Sequence, residues 1–470
     1  MLATLNTLLR VDDPQALANR VLWHDDGDGS VVSLVQVQQA LAAIHAKIKD
    51  SSAERWLLYT DDTNNFLVGF LVLLGLNRKV VISASRKPEW LQSLSNEFDA
   101  ILSDEEITVY DETQITGTCI PCFDFTFSAG QTAPLQLRLN GAEQIVFYTS
   151  GSTGEPKAIA KTLLALTNEV TTIGKTFPDN VRDAVFMASV SHLHIYGLLF
   201  KVLLPLLVGG SGFKRQVDYP EQLLGLLKKF HLETRKLVFI SSPAFLSRLD
   251  LQLPPVKTAA VFSSGGPLPH AAALDAQHYF SHLPIEVYGS TETGGIGYRQ
   301  QVEATMPWTP FAGVQLTESE AGIEILSTNM PGQSVYLLDD QLAILANGQF
   351  LMKGRKDRIV KIGEKRIALA EIEQFLCMQP TISQCIALLI RGKRDVIGCA
   401  VVLSEAGKIV ATREGQRKLI EVWKAAMRNR FEAITIPRQW RVLAALPVNS
   451  QSKIDNVLLI AEFAHMQDSV

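Results

Sequence analysis

The segment that most constrains this chain is a run of small polar residues directly after an apolar stretch. Residues 147–158 read Phe-Tyr-Thr-Ser-Gly-Ser-Thr-Gly-Glu-Pro-Lys-Ala, and they follow Gln144-Ile145-Val146. The apolar, β-branched residues predict a buried strand, and the glycines predict a tightly turning loop after it. Gly151 and Gly154 let backbone N–H groups approach an anion closely, and Lys157 adds a positive charge. Four hydroxyls add further donors: Thr149, Ser150, Ser152 and Thr153. The segment therefore predicts a loop that cradles a polyphosphate.

This loop differs from the Walker A loop of nucleotide triphosphatases. A Walker A loop ends in Gly-Lys-Ser/Thr, whereas here Pro156 stands directly before Lys157 and Ala158 follows it. The proline also lacks an N–H group to donate to a phosphate. The ordinary P-loop reading is excluded, and for this segment alone a serine- and glycine-rich surface turn is the alternative.

Size and charge limit the classes of function. The chain has 470 residues, of which 47% are hydrophobic and 20% charged, which predicts a globular protein with two or three domains or subdomains. The 44 basic and 48 acidic residues give a net charge of −4, and no long basic block is present. We therefore expect no nucleic acid partner.

No stretch predicts a membrane span or a signal peptide. The amino terminus lacks a basic region followed by a sustained apolar core, so we expect a cytoplasmic protein. The apolar run 66–76 falls short of the roughly 20 residues that cross a bilayer. A second run, 195–210, is interrupted by Lys201 and Pro205, which favours a packed interior element.

Alternation of strand-like and helical patterns predicts an α/β fold with mostly parallel sheets. Strand-like bursts stand at 56–59, 80–82, 236–240 and 259–262, and residues 222–230 have helical spacing. Near residue 354 the character changes to a charged run, followed by a short strand pattern and a helical stretch. This predicts a large domain at 1–354 and a small α+β domain at 355–470. On charge alone, the run favours a solvated hinge segment without chemistry.

Three further stretches place glycines or polar residues after predicted strands. They are Ser-Ser-Gly-Gly-Pro-Leu at 263–268, Val-Tyr-Gly-Ser-Thr-Glu-Thr-Gly-Gly at 287–295 and Leu-Pro-Val-Asn-Ser-Gln-Ser-Lys-Ile at 446–454. In open α/β sheets, ligands bind beyond the carboxyl ends of the strands, so we expect these loops to face one cleft.

Taken together and in this order, the motifs resemble the adenylate-forming (ANL) superfamily, with its acyl- and aryl-CoA synthetases, stand-alone adenylation domains and luciferases. The resemblance covers roughly residues 140–455. Within the superfamily, the chain is similar to coumarate-CoA-ligase-like enzymes. It implies a large N-terminal adenylation core of layered α/β subdomains at 1–354. It also implies a small, mobile α+β C-terminal domain at 355–470 that carries the catalytic lysine.

The resemblance implies how ATP and Mg2+ would be held. Glu292 is similar to the residue that binds Mg2+, and Asp340 to the ribose-binding aspartate. The assignment of Asp340 rests on its spacing to Asn347-Gly348, because the usual Thr-Gly-Asp is here Leu338-Asp339-Asp340. The full set of implied nucleotide contacts is Thr149, Ser150, Gly151, Ser152, Thr153, Gly154, Lys157, Gly265, Gly266, Tyr288, Gly289, Thr291, Asp340 and Arg355.

The same resemblance implies the reaction. A carboxylate would attack the α-phosphate of ATP, and Lys453 would stabilise the charge that grows there. In the implied second step, a pantetheine thiol of CoA or of an acyl carrier protein attacks the acyl-adenylate. Asp357 is similar to the family's hinge residue, and Gly363 belongs to the loop that is implied to act in this second step. The chain departs from the family at Val448, where arginine is frequent, at Ser452, where glycine is usual, and at Arg358, where a second hinge aspartate is often found.

The substrate segment is Ser-His-Leu-His-Ile-Tyr-Gly at 191–197. It resembles the pocket segment of coumarate- and acyl-CoA ligases, which implies a pocket formed by His194, Tyr196 and Gly289, with His194 also catalytic. The alternative is that either aromatic residue is a hydrogen-bonded core side chain. No aspartate stands there to bind an ammonium group, so an amino acid is disfavoured. We expect an aryl acid such as a hydroxybenzoate or hydroxycinnamate, with a fatty acid as the second choice.

Two alternatives remain at the level of function. One is a fatty-acyl-AMP ligase that serves a carrier protein, and the other is a non-catalytic protein that binds a nucleotide or a carboxylate on the same scaffold. A non-catalytic member would be expected to lose Lys453, Glu292 or Arg355, and all three are present. Either form would be a monomer or a homodimer.

Overall fold

The structure is a computed structural model that describes residues 1–9, 20–83, 85, 87–110, 122–123, 137–150, 156–330, 335–355, 358–362, 365–392, 395–428, 430–448 and 454–464. Seven of the predicted site residues lie outside these ranges: Gly151, Ser152, Thr153, Gly154, Asp357, Gly363 and Lys453. For Ser150 and Arg355 the backbone alone is described.

A nine-stranded sheet is the largest sheet of the described residues. Its six central strands run parallel to one another, and antiparallel strands close both edges. Their apolar residues are buried between layers of helices, as near-continuous hydrophobic parallel strands require. In spatial order the strands are Thr309–Pro310, Gly294–Gln300, Ile285–Ser290, Ala260–Ser263, Leu237–Ser241, Val185–Ala188, Ser211–Phe213, Val21–His24 and Val31–Ser33.

A second sheet of six described strands carries the segment that opened the sequence analysis. Its strands are Cys122–Phe123, Ala100–Ser103, Arg55–Tyr59, Lys79–Ser83, Gln144–Ser150 and Pro156–Thr162. All neighbours are parallel except the last two, which form an antiparallel pair with Thr149 opposite Lys157. Thr149 and Ser150 therefore end a strand and Lys157 belongs to the next strand, whereas the sequence placed all three in the loop.

The helices cover both sheets and fill the space between them. Helix Thr63–Gly75 begins at Asp62, whose carboxylate accepts hydrogen bonds from the backbone N–H groups of Asn64 and Asn65. Ten of its residues are buried, which agrees with the predicted interior helix. The described helices, including short and non-α turns, are Leu2–Leu8, Leu34–Ile48, Thr63–Gly75, Pro88–Ser93, Ser95–Glu97, Leu163–Thr176, Pro178–Val181, Ile195–Gly197, Leu198–Leu203, Leu204–Val208, Pro220–Lys229, Pro243–Leu246, His270–Phe280, Leu369–Cys377, Glu405–Glu414, Gln416–Arg428 and Asn456–Ala464.

Smaller sheets follow toward the carboxyl end. They comprise Val314–Ser319, Gly322–Ser327 and Tyr336–Leu337; Asp340–Ile344 with Phe350–Arg355; Ile359–Ile362 with Lys365–Ala368; and Ile382–Ile390, Val396–Leu403 and Gln439–Leu443. The last set of three strands packs with helices 369–377 and 416–428 around its own apolar cluster, which includes Ile372, Trp423 and Met427.

The predicted fold class is confirmed: the chain is α/β, with a large multi-sheet N-terminal part and a small C-terminal sheet. The apolar stretch 195–210 is a mostly buried helical segment, as predicted. Within the described residues, no helix combines the length and the apolar character needed to cross a membrane. The boundary at residues 354 and 355, and movement of the second part, stay predictions.

Candidate functional site

A cleft of about 1120 Å³ opens where parallel strands of the two large sheets end. From the nine-stranded sheet, residues one or two positions after the ends of strands line it, among them Asp26, Ser189, Ser242, Ser264 and Thr291. Asp61, Ser85 and Asp104 follow strands of the six-stranded sheet and line it as well. The cleft therefore lies at the edge where α/β sheets bind ligands.

Six of the predicted site residues line this cleft: Thr149, His194, Tyr196, Gly265, Gly289 and Thr291. They come from four segments far apart in the sequence, so the expected convergence of the glycine loops on one cleft is observed. Gly289 is packed so closely that a Cβ atom there would lie 2.3 Å from the carbonyl oxygen of Gly294. Gly265 has a φ of 94°, which favours glycine.

Lys157, in strand Pro156–Thr162, forms an ion pair with Glu292, in the turn between strands Ile285–Ser290 and Gly294–Gln300 of the nine-stranded sheet. Lys157 Nζ donates to Glu292 Oε1 at 2.5 Å, and the lysine side chain is 54% exposed. This hydrogen bond raises the pKa of Lys157. Burial alone raises the pKa of the Glu292 carboxyl, but the hydrogen bond from Lys157 and other donors outweigh burial and lower it. The lysine predicted to bind phosphate thus neutralises the carboxylate predicted to bind metal.

Tyr288, Asp340 and Arg355 also come together. The Tyr288 hydroxyl donates to Asp340 Oδ2 at 2.6 Å. Asp340 pairs with Arg355 in the register of the two-stranded sheet. Three residues predicted from separate motifs are thereby adjacent, although their roles toward a nucleotide stay predictions.

The predicted substrate segment forms one aromatic wall of the cleft. Tyr196 lines the cleft and packs against Phe200, with ring centroids 4.8 Å apart, and burial raises its pKa well above the usual range. His194 precedes the first turn of the helix and also lines the cleft. His192 is different: its ring is buried and its Nε2 lies 2.8 Å from the Thr60 carbonyl oxygen, which is the position of a core histidine.

Two buried charged residues that the sequence analysis missed hold the loop containing Glu292. Lys161, which is 2% exposed, donates through Nζ to the carbonyl oxygens of Glu292 at 2.8 Å and Asn329 at 3.2 Å. Glu169, which is 5% exposed, accepts from the backbone N–H of Gly295 at 2.6 Å. Burial lowers the pKa of Lys161 and raises the pKa of Glu169. Both side chains therefore fix the backbone of the loop.

A sequence signal for these two residues exists. Glu169 lies three residues after Leu166 and next to Val170, on the apolar face of helix Leu163–Thr176. Lys161 lies two residues after Ile159, on the inward face of its strand. A charge on an otherwise apolar face indicates a buried polar contact, and Lys201 in the apolar run 195–210 gives the same signal.

The tyrosine before the loop, Tyr148, is anchored by a residue of the short helical turn Ser95–Glu97. The Tyr148 hydroxyl donates to Glu97 Oε2 at 2.6 Å, and the nearby Arg55 pairs with Asp99 at 2.6 Å. Burial is the main reason that the pKa of Tyr148 is raised. These contacts fix the end of strand Gln144–Ser150, where the loop begins.

Glu292 is the carboxylate that would hold a metal. Within the described residues no group of three or more His, Cys, Asp or Glu side chains is arranged to bind one. Mg2+ commonly takes one or two carboxylates together with substrate phosphates, so a single carboxylate paired with a lysine of the predicted phosphate-binding segment fits this ion. Lys453 lies outside the described residues, and the residues that flank its segment, Val448 and Ile454, are bridged to each other.

Comparisons with known proteins identify the family and the fold. The sequence model of a family described as AMP-binding enzyme matches residues 30–355. A 4-coumarate–CoA ligase of Rhodobacter capsulatus is 26% identical over 363 residues, which cover 76% of this chain and 84% of that protein. A D-alanine–D-alanyl carrier protein ligase of Staphylococcus aureus strain Newman is 26% identical over 356 residues, covering 66% of this chain and 69% of that protein.

Solved structures show the same fold. The ATP-bound MatB of Rhodopseudomonas palustris superimposes with a TM-score of 0.77 at 16% identity, covering 98% of this chain and 99% of that chain. A benzoate CoA ligase of Burkholderia xenovorans LB400 gives a TM-score of 0.77 at 17% identity, covering 97% of this chain and 99% of that chain.

Proposed function

Because the chain belongs to the family of AMP-binding enzymes, we propose that it activates an aryl carboxylic acid with ATP and passes the acyl group to a pantetheine thiol. The acid would become an acyl-AMP with release of pyrophosphate, and the thiol would belong to CoA or to an acyl carrier protein. At the level of the family, the activity is adenylate-forming activation of an acid by an AMP-forming ligase.

The observation that carries the proposal is the convergence of Thr149, Gly265, Gly289 and Thr291 on one cleft. These residues come from the phosphate-type loop and from two glycine motifs, and the Lys157–Glu292 pair joins the first segment to the last. Glycines and hydroxyl side chains in the cleft lining suit a polyanion, and the aromatic wall beside them suits an aryl acid.

The residues divide the work of the first step. Lys157 and the hydroxyls would hold the departing phosphates, and Glu292 would exchange its bond with Lys157 for Mg2+. That ion, when bound, would offset the repulsion between the carboxylate and the phosphates. Lys453 would stabilise the negative charge at the α-phosphate in the transition state. Lys161 and Glu169 would keep the backbone of the Glu292 loop in place.

The nature of the substrate and the acceptor rests on the relatives and on the cleft. The relative from Rhodobacter is a ligase of 4-coumarate, an aryl acid, and Tyr196 and Phe200 offer a flat aromatic wall. The relative from Staphylococcus loads a carrier protein, so a carrier protein is as suitable an acceptor as CoA. A fatty acid is the second candidate substrate.

The second step would need the C-terminal part to turn. We place the division at residues 354 and 355, with the hinge at Asp357, and assign the Gly363 loop to the thiol step. Closure and rotation about a few residues is a common way to complete a catalytic site.

Exchange of labelled pyrophosphate into ATP tests the proposal. The panel would contain benzoate, 4-hydroxybenzoate, 4-hydroxycinnamate and octanoate, and a thioester assay with CoA and with a carrier protein would identify the acceptor. Replacing Lys453 by alanine should slow exchange by about a hundredfold, as the loss of one preorganised charge does. Lys418→Ala, an exposed lysine of the C-terminal part, is the matched control and should leave exchange unchanged.

Two outcomes would overturn the proposal. Absence of exchange with every acid, while ATP still binds, would instead favour a non-catalytic binding protein. Full exchange in Lys453→Ala would remove Lys453 from the first step.

A further inference from the structure

The cleft contains a lysine, Lys201, that the proposed reaction does not use. It interacts electrostatically with Asp26, which follows strand Val21–His24, and this strand stands five places from Ile285–Ser290, the strand before the second glycine motif, in the sheet order. We call this part of the cleft the far end. Lys201 lines the cleft although it is only 3% exposed. It lies in a π-helical stretch, Leu198–Leu203, directly after the substrate segment. Single turns of π-helix are frequent at functional sites because they redirect side chains. A buried ammonium group is costly unless a partner compensates it.

Among the described residues, charged groups lie near the Lys201 ammonium group, but none of them forms a hydrogen bond or an ion pair with it. The carboxylates of Asp62, Asp26, Asp61 and Asp218 raise its pKa, but burial outweighs them and lowers the pKa of Lys201 to about 8. The first of these is already engaged, because Asp62 pairs with Lys214 at 2.8 Å and caps a helix. The donor capacity of Lys201 is therefore left over for a bound molecule.

Asp26 provides a matching acceptor. Its Oδ1 atom is buried and has no hydrogen-bond partner in the part of the chain that the structure describes, and the residue lines the same cleft. Lys214 is not available in the same way, because it already pairs with Asp25 and Asp62 at 2.8 Å each. His192 is also occupied, through its bond with Thr60.

We infer that Lys201 and Asp26 form a polar subsite that binds a hydroxyl group on the substrate acid, at the end remote from the carboxylate that is activated. This inference rests on the proposed function and names the substrate class for it: a flat acid with a distal hydroxyl. A hydroxyl accepts from Lys201 and donates to Asp26 at once. A second carboxylate would meet the surrounding aspartates, and an ammonium group would meet Lys201. Tyr196 and Phe200 line the cleft beside Lys201 and would contact the ring.

Calorimetric binding to the full chain, with α,β-methylene-ATP present, tests the subsite without turnover. The probes are 4-hydroxybenzoate against benzoate and 4-hydroxycinnamate against cinnamate, so that two lengths are covered. In at least one pair the hydroxylated acid should bind about 10- to 100-fold more tightly, the range of a hydrogen bond to a charged group. Terephthalate and 4-(aminomethyl)benzoate should bind more weakly than 4-hydroxybenzoate.

Variants then assign the effect to the residues. Lys201→Met should remove most of the preference by weakening the hydroxylated acid, while the Kd of the unsubstituted acid changes less than about threefold. Asp26→Leu should reduce the preference in the same direction. Lys228→Met, the same change at an exposed lysine, should preserve it.

The outcomes separate this inference from the proposed function. Equal binding of both members of both pairs, no binding of any acid, tighter binding of terephthalate, or an unchanged preference in a folded Lys201→Met protein would each overturn the subsite. A preference that depends on Lys201 without any pyrophosphate exchange would support the subsite and overturn the proposed reaction.

Discussion

The two ends of the cleft are built differently. At the glycine-loop end the charges are paired: Lys157 with Glu292, and Lys161 with two carbonyl oxygens. At the far end, Lys201 has no such bond among the described residues, and a buried oxygen of Asp26 has no partner. The charged groups at the glycine-loop end are already paired within the protein, and we call this paired set the frame. The far end has a donor and an acceptor that are available for a ligand. Under the two proposals, the glycine-loop end would determine the reaction and the far end would determine which acid binds.

We expect the largest effect, on the free energy of unfolding, from removing the buried charge of Lys161. Lys161→Met would leave Glu169 buried without its compensating charge and two carbonyl oxygens without a donor. We expect the free energy of unfolding in urea to fall by about 4 kcal/mol. Lys157→Met on the same strand is the control, because this side chain is 54% exposed and its pairing contributes less than about 1 kcal/mol. Equal losses in the two variants would contradict the frame.

The next effect is on the rate. Glu292→Gln removes the carboxylate assigned to Mg2+, and pyrophosphate exchange should slow by roughly 10²- to 10³-fold. The Kd of the acid should stay the same, because its binding groups lie at the other end. Glu318→Gln, an exposed position, is the control. A large change in acid affinity with normal exchange would contradict the assignment of the reaction to the glycine-loop end and of acid binding to the far end.

A glycine pair tests how tightly the first end is packed. Gly289→Ala would place a methyl group 2.3 Å from a backbone oxygen, so the loop must shift, and a shift of about 1 Å costs on the order of a hundredfold in rate. A Cβ atom at Gly225, in helix Pro220–Lys229 and outside the predicted site, would meet nothing within 4 Å. Gly225→Ala should therefore retain near-normal kcat/KM for exchange, and comparable losses in both variants would show that packing does not distinguish them.

The smallest effect is the pH dependence of stability at the far end. The pKa of Lys201 is lowered from 10.5 to about 8 in the folded chain, mainly by burial. Between these values the unfolded chain binds the additional proton, so the free energy of unfolding contributed by Lys201 rises with pH, by up to about 1.4 kcal/mol per pH unit. Urea unfolding at pH 8, 9 and 10 should show this rise in the wild type relative to Lys201→Met. Parallel curves would mean that Lys201 is not buried as an isolated charge.

Much of the fold was predictable, and the reason is periodicity. The strand patterns at 56–59 and 236–240 and the helix pattern at 222–230 correspond to strands Arg55–Tyr59 and Leu237–Ser241 and helix Pro220–Lys229. Alternation of the two patterns also predicts parallel sheets, and the central strands are parallel. Ends of elements were less predictable, since Thr149 and Lys157 belong to paired strands. Cross-strand hydrogen bonds decide where a loop begins, and the sequence does not display them.

For the site, the sequence determined which residue types stand after which strands, because glycines and hydroxyls are needed wherever backbone approaches an anion. It determined the candidate Lys157 in this way, whereas Glu292 and Tyr288 were implied by the resemblance of their motif to the family. Only the tertiary structure decided that Lys157 contacts Glu292, that Lys161 and Glu169 hold the loop between them, and that Lys201 reaches the cleft. The physical reason is that the cost and the pairing of a charge depend on burial and on neighbours distant in the chain, which local pattern does not specify.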